Sequence, residues 1–288
     1  MSLKQVLRPS NRRVRYAVGL LLVGLFCIQC ISVTDTSSSV VIAKSQVADP
    51  KALTQKLVDL AKTDHVALLN YCLDHYNRTY HDYTCTLIKQ ERINGELGPE
   101  QEVQVKYKES PFSVAMQWTR NAPLGDRLLY VEGKYDDNMM VRPANKLLRI
   151  VTGGTVLRKP DGPDAMRNTL RPVNLFGFRK GMEDLIKVYR EARDAGHLKE
   201  AFGGFAEVSG RNTVVLERYL PASDNYPAWK TVLYIDPELL VPVCIEGYGW
   251  DQQLTSRYVF ENIRFSTGLT DDDFLPEAND MKPAPAKK

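Results

Sequence analysis

Between Tyr83 and Trp118 the chain reads YTCTLIKQERINGELGPEQEVQVKYKESPFSVAMQW, and this stretch limits the fold more than any other. Tyr83, Cys85 and Leu87 alternate with more polar neighbours, as do Val103, Val105 and Tyr107, and then Phe112, Val114, Met116 and Trp118. Successive side chains of a strand point to opposite faces, so each run has one apolar side. Asn94-Gly95 and Gly98-Pro99 supply turn chemistry, and Ser110-Pro111 breaks the next strand pair. These residues predict an antiparallel meander with one buried face, the wall of a container rather than an active-site loop.

Helical spacing precedes the meander. Asp49-Pro50 suits a cap and first helical position, and Leu53, Leu57, Leu60, Ala61, Leu68, Leu69, Cys72 and Tyr76 predict an amphipathic helix to about Asn77. After Trp118, short strands are predicted at 127–132, 138–141 and 146–151, followed by loop signals from Thr152 to Pro172. Thr152-Gly153-Gly154-Thr155 reads as a tight turn. A second helix is predicted over 179–195, with Met182, Leu185, Ile186, Val188 and Tyr189 as its apolar face and Gly196 at its end. Strands return at 205–208, 213–220, 229–235, 241–250 and 254–265. The order helix, β-meander, helix, β-meander defines an α+β chain with a single large domain over 44–281.

Residues 1–43 set the compartment. Lys4, Arg8, Arg12, Arg13 and Arg15 precede the uncharged run from Ala17 to Val33, and TDTSSS follows it. This is the pattern of a signal peptide. The run is also near the ~17-residue minimum of a membrane-spanning helix, so a retained inner-membrane anchor stands beside cleavage after Val41-Ile42-Ala43. Both readings export the rest of the chain to the periplasm. Cys27 follows Phe26 and Cys30 follows Gln29, poor contexts for lipid attachment. The whole chain carries 38 Lys+Arg and 35 Asp+Glu; without 1–43 the balance is 33 against 34, which leaves no footprint for nucleic acid. Residues 282–288 are Pro/Ala/Lys-rich and read as a disordered tail.

Cys72, Cys85 and Cys244 remain beyond the leader, an odd number whose pairing the sequence does not fix; buried free thiols are the alternative. Metal-ligand spacings of the CxxC or HxxxH kind are missing there, as is a phosphate loop, so neither metal nor cofactor is expected.

The segment TLIKQ, a strand ending VKYKESPF and a strand ending in Trp118 resemble the opening of the periplasmic lipoprotein-carrier (LolA/LolB-like) superfamily, in particular the domain of unknown function 1571 branch. YIDPELLVPVCIEGYGWDQQ followed by SRYVFENIRFSTGLTDDDF is similar to the close of the same pattern. The resemblance covers most of residues 50–281. It implies a strongly curved antiparallel sheet, a half-barrel, with helices across its mouth, and a lipid, a lipoprotein acyl chain or another hydrophobic ligand inside. Carriers of this group have a cation directly before the Pro of the third strand; this chain has Ser110, with Lys106 and Lys108 displaced.

The expected cavity lining is Phe112, Val114, Met116, Trp118, Leu129, Val131, Met139, Leu148, Ile150, Val214, Leu216, Val232, Tyr234, Tyr258 and Phe260, with Met182, Leu185, Ile186 and Tyr189 on the lid. The competing reading of these residues is an ordinary close-packed core. A non-catalytic carrier or sensor is the leading expectation. A membrane-associated envelope scaffold is the alternative, for which Tyr226, Trp229, Tyr248 and Trp250 would suit a protein partner and Ala17 to Val33 the membrane. A hydrolase is the third reading: His81-Asp82 near Cys85 is its best nucleophile set, but residues four apart on a strand stand about 13 Å apart. Export has a direct check. Alkaline phosphatase fused after Lys288 is expected to be active, whereas activity from a cytoplasmic reporter alone at that point would overturn the compartment assignment.

Overall fold

The computed structural model describes residues 50–283, apart from Asp224; residues 1–49, which include the leader and Asp49, and residues 284–288 lie outside the described residues. Helix α1 (Pro50–Thr63) and helix α2 (His65–Thr79) replace the one long helix expected. The break is at Asp64, whose backbone is extended and whose side chain accepts from the Ala67 amide as the cap of α2. The first meander follows as β1 (Asp82–Ile93), β2 (Glu96–Leu97), β3 (Gln101–Lys108), β4 (Ser113–Arg120), β5 (Gly125–Val131) and β6 (Met139–Pro143). Asn94 and Gly95 both take positive φ in the two-residue turn between β1 and β2. Then come α3 (Lys146–Val151), β7 (Val156–Arg158), the short α4 (Pro163–Met166) and α5 (Phe178–Asp194). The second meander is β8 (Lys199–Val208), β9 (Arg211–Tyr219), β10 (Lys230–Asp236), β11 (Val241–Tyr248) and β12 (Leu254–Phe265).

All strands join one antiparallel sheet in the order β7-β6-β5-β4-β3-β1-β12-β11-β10-β9-β8, with β2 folded back on β1. The sheet is open, and the first and last long strands pair at its centre, Leu87 opposite Phe260. The two meanders are thereby joined into one wall. The strand expected at 146–151 is α3 instead. Asn145 accepts from the Leu147 and Leu148 amides, so a cap following Pro143-Ala144 starts a helix where apolar alternation alone read as β.

Helices α1, α2 and α5 fill one half of the inner face. Leu57, Leu68, Leu69, Cys72 and Tyr76 pack there with Met182, Ile186 and Tyr189 against Val214, Leu216, Leu233 and Ile235. The outer face is covered too: Phe274 and Met281, from the segment after β12, pack on Ala115, Leu129, Val131 and Met140. Lys106 and Lys108 hold that segment through the Asp273 carbonyl, Asn279 and Asp271.

His65, the first residue of α2, is 1% exposed. The Ala61 carbonyl can only accept, so Nε2 donates to it at 2.8 Å and Nδ1 accepts from the Tyr189 hydroxyl at 3.2 Å. Burial pushes its pKa down to about 4 from the ordinary 6.5, although the Ala61 carbonyl and the Asp64 charge favour the cation; the Glu200 carboxylate is 3.9 Å away. Between these values the unfolded chain binds a proton that the folded one does not, so stability is present above pH 6.5 and lost as the pH falls toward 4. The stability advantage of wild type over His65→Gln in urea should therefore shrink by about 3 kcal/mol across that window. A difference that does not move with pH would refute a neutral, buried His65.

Candidate functional site

The other half of the inner face is not filled. A cavity of about 490 Å³ lies there. Its floor is the strand positions in phase with the inner core: Leu87 on β1, Met116 and Trp118 on β4, Leu128 on β5, Met139 and Val141 on β6, Val156 on β7, Ile245 on β11, Tyr258 and Phe260 on β12. Its roof is α4 and the strap leading to α5, through Ala165, Val173, Leu175 and Phe176, with Leu185 of α5 and Leu148 of α3 at the sides. Tyr107, Phe112 and the first turn of α5 close the core side, where Lys180 stands 4.1 Å over the Phe112 ring.

One corner of this apolar space is polar. Glu91, on the same face of β1 as Leu87, is 4% exposed. One carboxylate oxygen accepts from the Tyr258 hydroxyl at 2.6 Å, the Thr169 hydroxyl at 3.3 Å and the Leu170 amide at 3.3 Å. The other lies 2.9 Å from Lys89 Nζ, which also donates to Thr169 at 3.2 Å. Burial and the neighbouring carboxylate push the Tyr258 phenol well up, so it stays a donor. This set ties the strap to the floor. A second tie holds the start of α5: Arg179 pairs with Glu109 at 2.5 Å, directly before Ser110.

Of the expected lining, Met116, Trp118, Met139, Leu148, Tyr258 and Phe260 border the cavity, as does Leu185 of the expected lid. Trp118 Nε1 donates to Gln101 at 2.8 Å. Phe112, Val114, Val214 and Leu216, with Met182, Ile186 and Tyr189, lie in the packed core instead. Leu129 and Val131 are on the outer face, one residue out of phase, because the C-terminal segment buries that side of β5 as well. Val232 and Tyr234 are out of phase in the same way: Leu233 and Ile235 are the inner residues of β10, while the Tyr234 hydroxyl meets Glu246 at 3.3 Å. Ile150 sits on a helix and is 78% exposed. Cys72, Cys85 and Cys244 are free and buried, which pushes the thiols of Cys72 and Cys244 up to about 12. Tyr226 is buried against His197, and Trp250 alone of the four suggested interface aromatics is exposed. Lys89, Glu91 and Thr169 went unnoticed in the sequence; the signal was a charged pair continuing the apolar phase of Tyr83, Cys85 and Leu87.

The fold is thus an open antiparallel sheet whose helices fill half its inner face and leave an apolar cavity in the other half. Residues 80–282 match the family model described as a protein of unknown function (DUF1571), and the chain belongs to that family. Among solved structures it is similar to MucB at 12% identity (TM-score 0.41), covering 80% of this chain and spanning 63% of the length of MucB. It is also similar to the lipoprotein LppX of Mycobacterium tuberculosis at 11% identity (TM-score 0.40, 72% of this chain and 99% of that one). A LolA superfamily protein from Nitrosomonas europaea is similar at 9% identity (TM-score 0.30, 73% and 98%). No curated protein matches in sequence. Among the described residues, no helix is long and apolar enough to cross a membrane.

The polar corner makes its own demand. Glu91→Ala removes the partner of Lys89, Thr169 and Tyr258 at once, and breaking a buried pair from one side costs about 3 kcal/mol or more. Urea denaturation should show that loss, and limited proteolysis should cut faster between residues 160 and 177. Unchanged cleavage there would mean that Glu91 does not hold the strap.

Proposed function

We propose that the protein is an exported, non-catalytic carrier or sensor that holds a lipid, a lipoprotein acyl chain or another hydrophobic ligand in this cavity within the cell envelope. The cavity carries the reading. Its 490 Å³ falls within the roughly 300–1,000 Å³ of small-molecule sites, which are mostly apolar with a few placed polar groups. Each methylene moved from water into such a space gains about 0.8 kcal/mol, so a long chain offsets the cost of association without any chemistry. Membership of a family of unknown function neither adds to this nor opposes it. The hydrolase alternative loses support at its one nucleophile set: Cys85 is 3% exposed, and burial pushes its thiol up, whereas His81 faces solvent.

The geometry selects the variant that tests the reading. Val114 is in the packed core, where Phe would overpack at a cost of about 1 to 3 kcal/mol. Ala165, in the roof, has the cavity beside it. In delipidated protein, Ala165→Trp should weaken saturable binding of a fluorescent fatty acid at least about tenfold while leaving Tm within a few degrees of wild type. If delipidated wild type shows no saturable binding of acyl-chain probes, the carrier reading falls.

A further inference from the structure

Helix α3 is built inside out. An ordinary surface helix turns its apolar side to the core and its charges to water. Here Arg149 points inward, donating to the Pro143 carbonyl at 2.6 Å and to Asp126 at 2.5 Å. Leu147, Ile150 and Val151 are 73, 78 and 82% exposed. Asp126 is a firm anchor. Burial opposes its ionisation, but the Arg142 hydrogen bonds at 2.9 and 3.1 Å and the charges of Arg142 and Arg149 outweigh it and hold its carboxyl below the usual range. The helix is therefore pinned by its polar side, with its aliphatic side presented.

That side stands at the mouth of the cavity. Leu124, Leu148 and Leu175 border the cavity and are still 60, 51 and 41% exposed. The surrounding chain is net basic: between residues 142 and 171 there are seven Lys and Arg against two Asp. Asp126, Asp164 and Asp184 pair with five of these cations, while Lys146, on the helix, and Lys159 are exposed. A protruding aliphatic turn set among cations matches the boundary of an anionic bilayer, where apolar side chains enter the acyl region and Lys and Arg meet the headgroups.

We propose that α3 and the cavity mouth form a docking face for the surface of an anionic phospholipid bilayer. The face stands on exposure and charge, and holds whether or not the cavity carries a lipid.

Full-length Ile150→Trp, whose substitution is at an exposed position, should be mixed with vesicles of acyl-brominated phosphatidylcholine with and without phosphatidylglycerol. Relative to wild type, whose Trp118, Trp229 and Trp250 set the background, the added indole emission should be quenched and blue-shifted when phosphatidylglycerol is present, and less so at high salt. Leu147→Asp with Ile150→Asp should lower vesicle partitioning at least about tenfold, with fatty-acid binding in the cavity measured in parallel and unchanged. Vesicle association that leaves the indole unquenched, or that the double substitution does not alter, would assign binding to another segment and overturn the docking face. Absence of saturable fatty-acid binding in delipidated wild type, with vesicle docking retained, would count against the carrier reading and leave the docking face intact.

Discussion

The ring of Phe178 decides where core ends and cavity begins. It packs against Phe260 at 4.7 Å, Tyr83 at 5.0 Å and Phe265 at 5.7 Å, so the first residue of α5 is nailed to β1 and β12 at the centre of the sheet. Gly177 makes this approach feasible: its φ is +112°, and a Cβ there would come within 2.6 Å of the Tyr107 ring. Beyond Phe178, α5 runs over the second meander and closes the packing with α2. Before it, the strap must bridge the first meander without a helix of comparable length, and the space beneath stays open.

Much of this was legible because strand alternation and helical spacing are local properties. The predicted 254–265 is β12 to the residue, and 179–195 differs from α5 by one residue at each end. The missing parts depended on tertiary context. A continuous apolar run such as Val232, Leu233, Tyr234 and Ile235 gives no phase, and β5 loses its phase because both of its faces are buried. Nothing local announced that Phe274 and Met281 would return to the outer face. The two-helix start was readable in principle, since Asp64 is a good cap in mid-pattern.

The polar corner was legible in a different sense. Lys89 and Glu91 break the apolar face of β1 at the positions where the floor of the cavity begins. Two charges on a core face are tolerated when each is met, and here the strap supplies Thr169 and the Leu170 amide while β12 supplies Tyr258. The pair therefore fixes where the strap lies; a buried ion pair is weak evidence for added stability.

Closure of the roof rests on the Lys89 and Glu91 contacts together with the packing of Val173, Ala165 and Phe176, whereas the helix-filled half rests on three helices packed on the sheet. Leu124, Leu148 and Leu175 are leucines that both line the cavity and reach solvent, with Pro123 and the charged Arg158, Asp164, Arg167 and Arg171 also lining and exposed. A path past the three leucines is apolar, so an acyl chain crossing it would expose little surface to water if the outside is lipid. The inside-out setting of α3 is costly in water, and it stands where the cavity's leucines reach the surface, so a lipid environment outside would make physical sense of both.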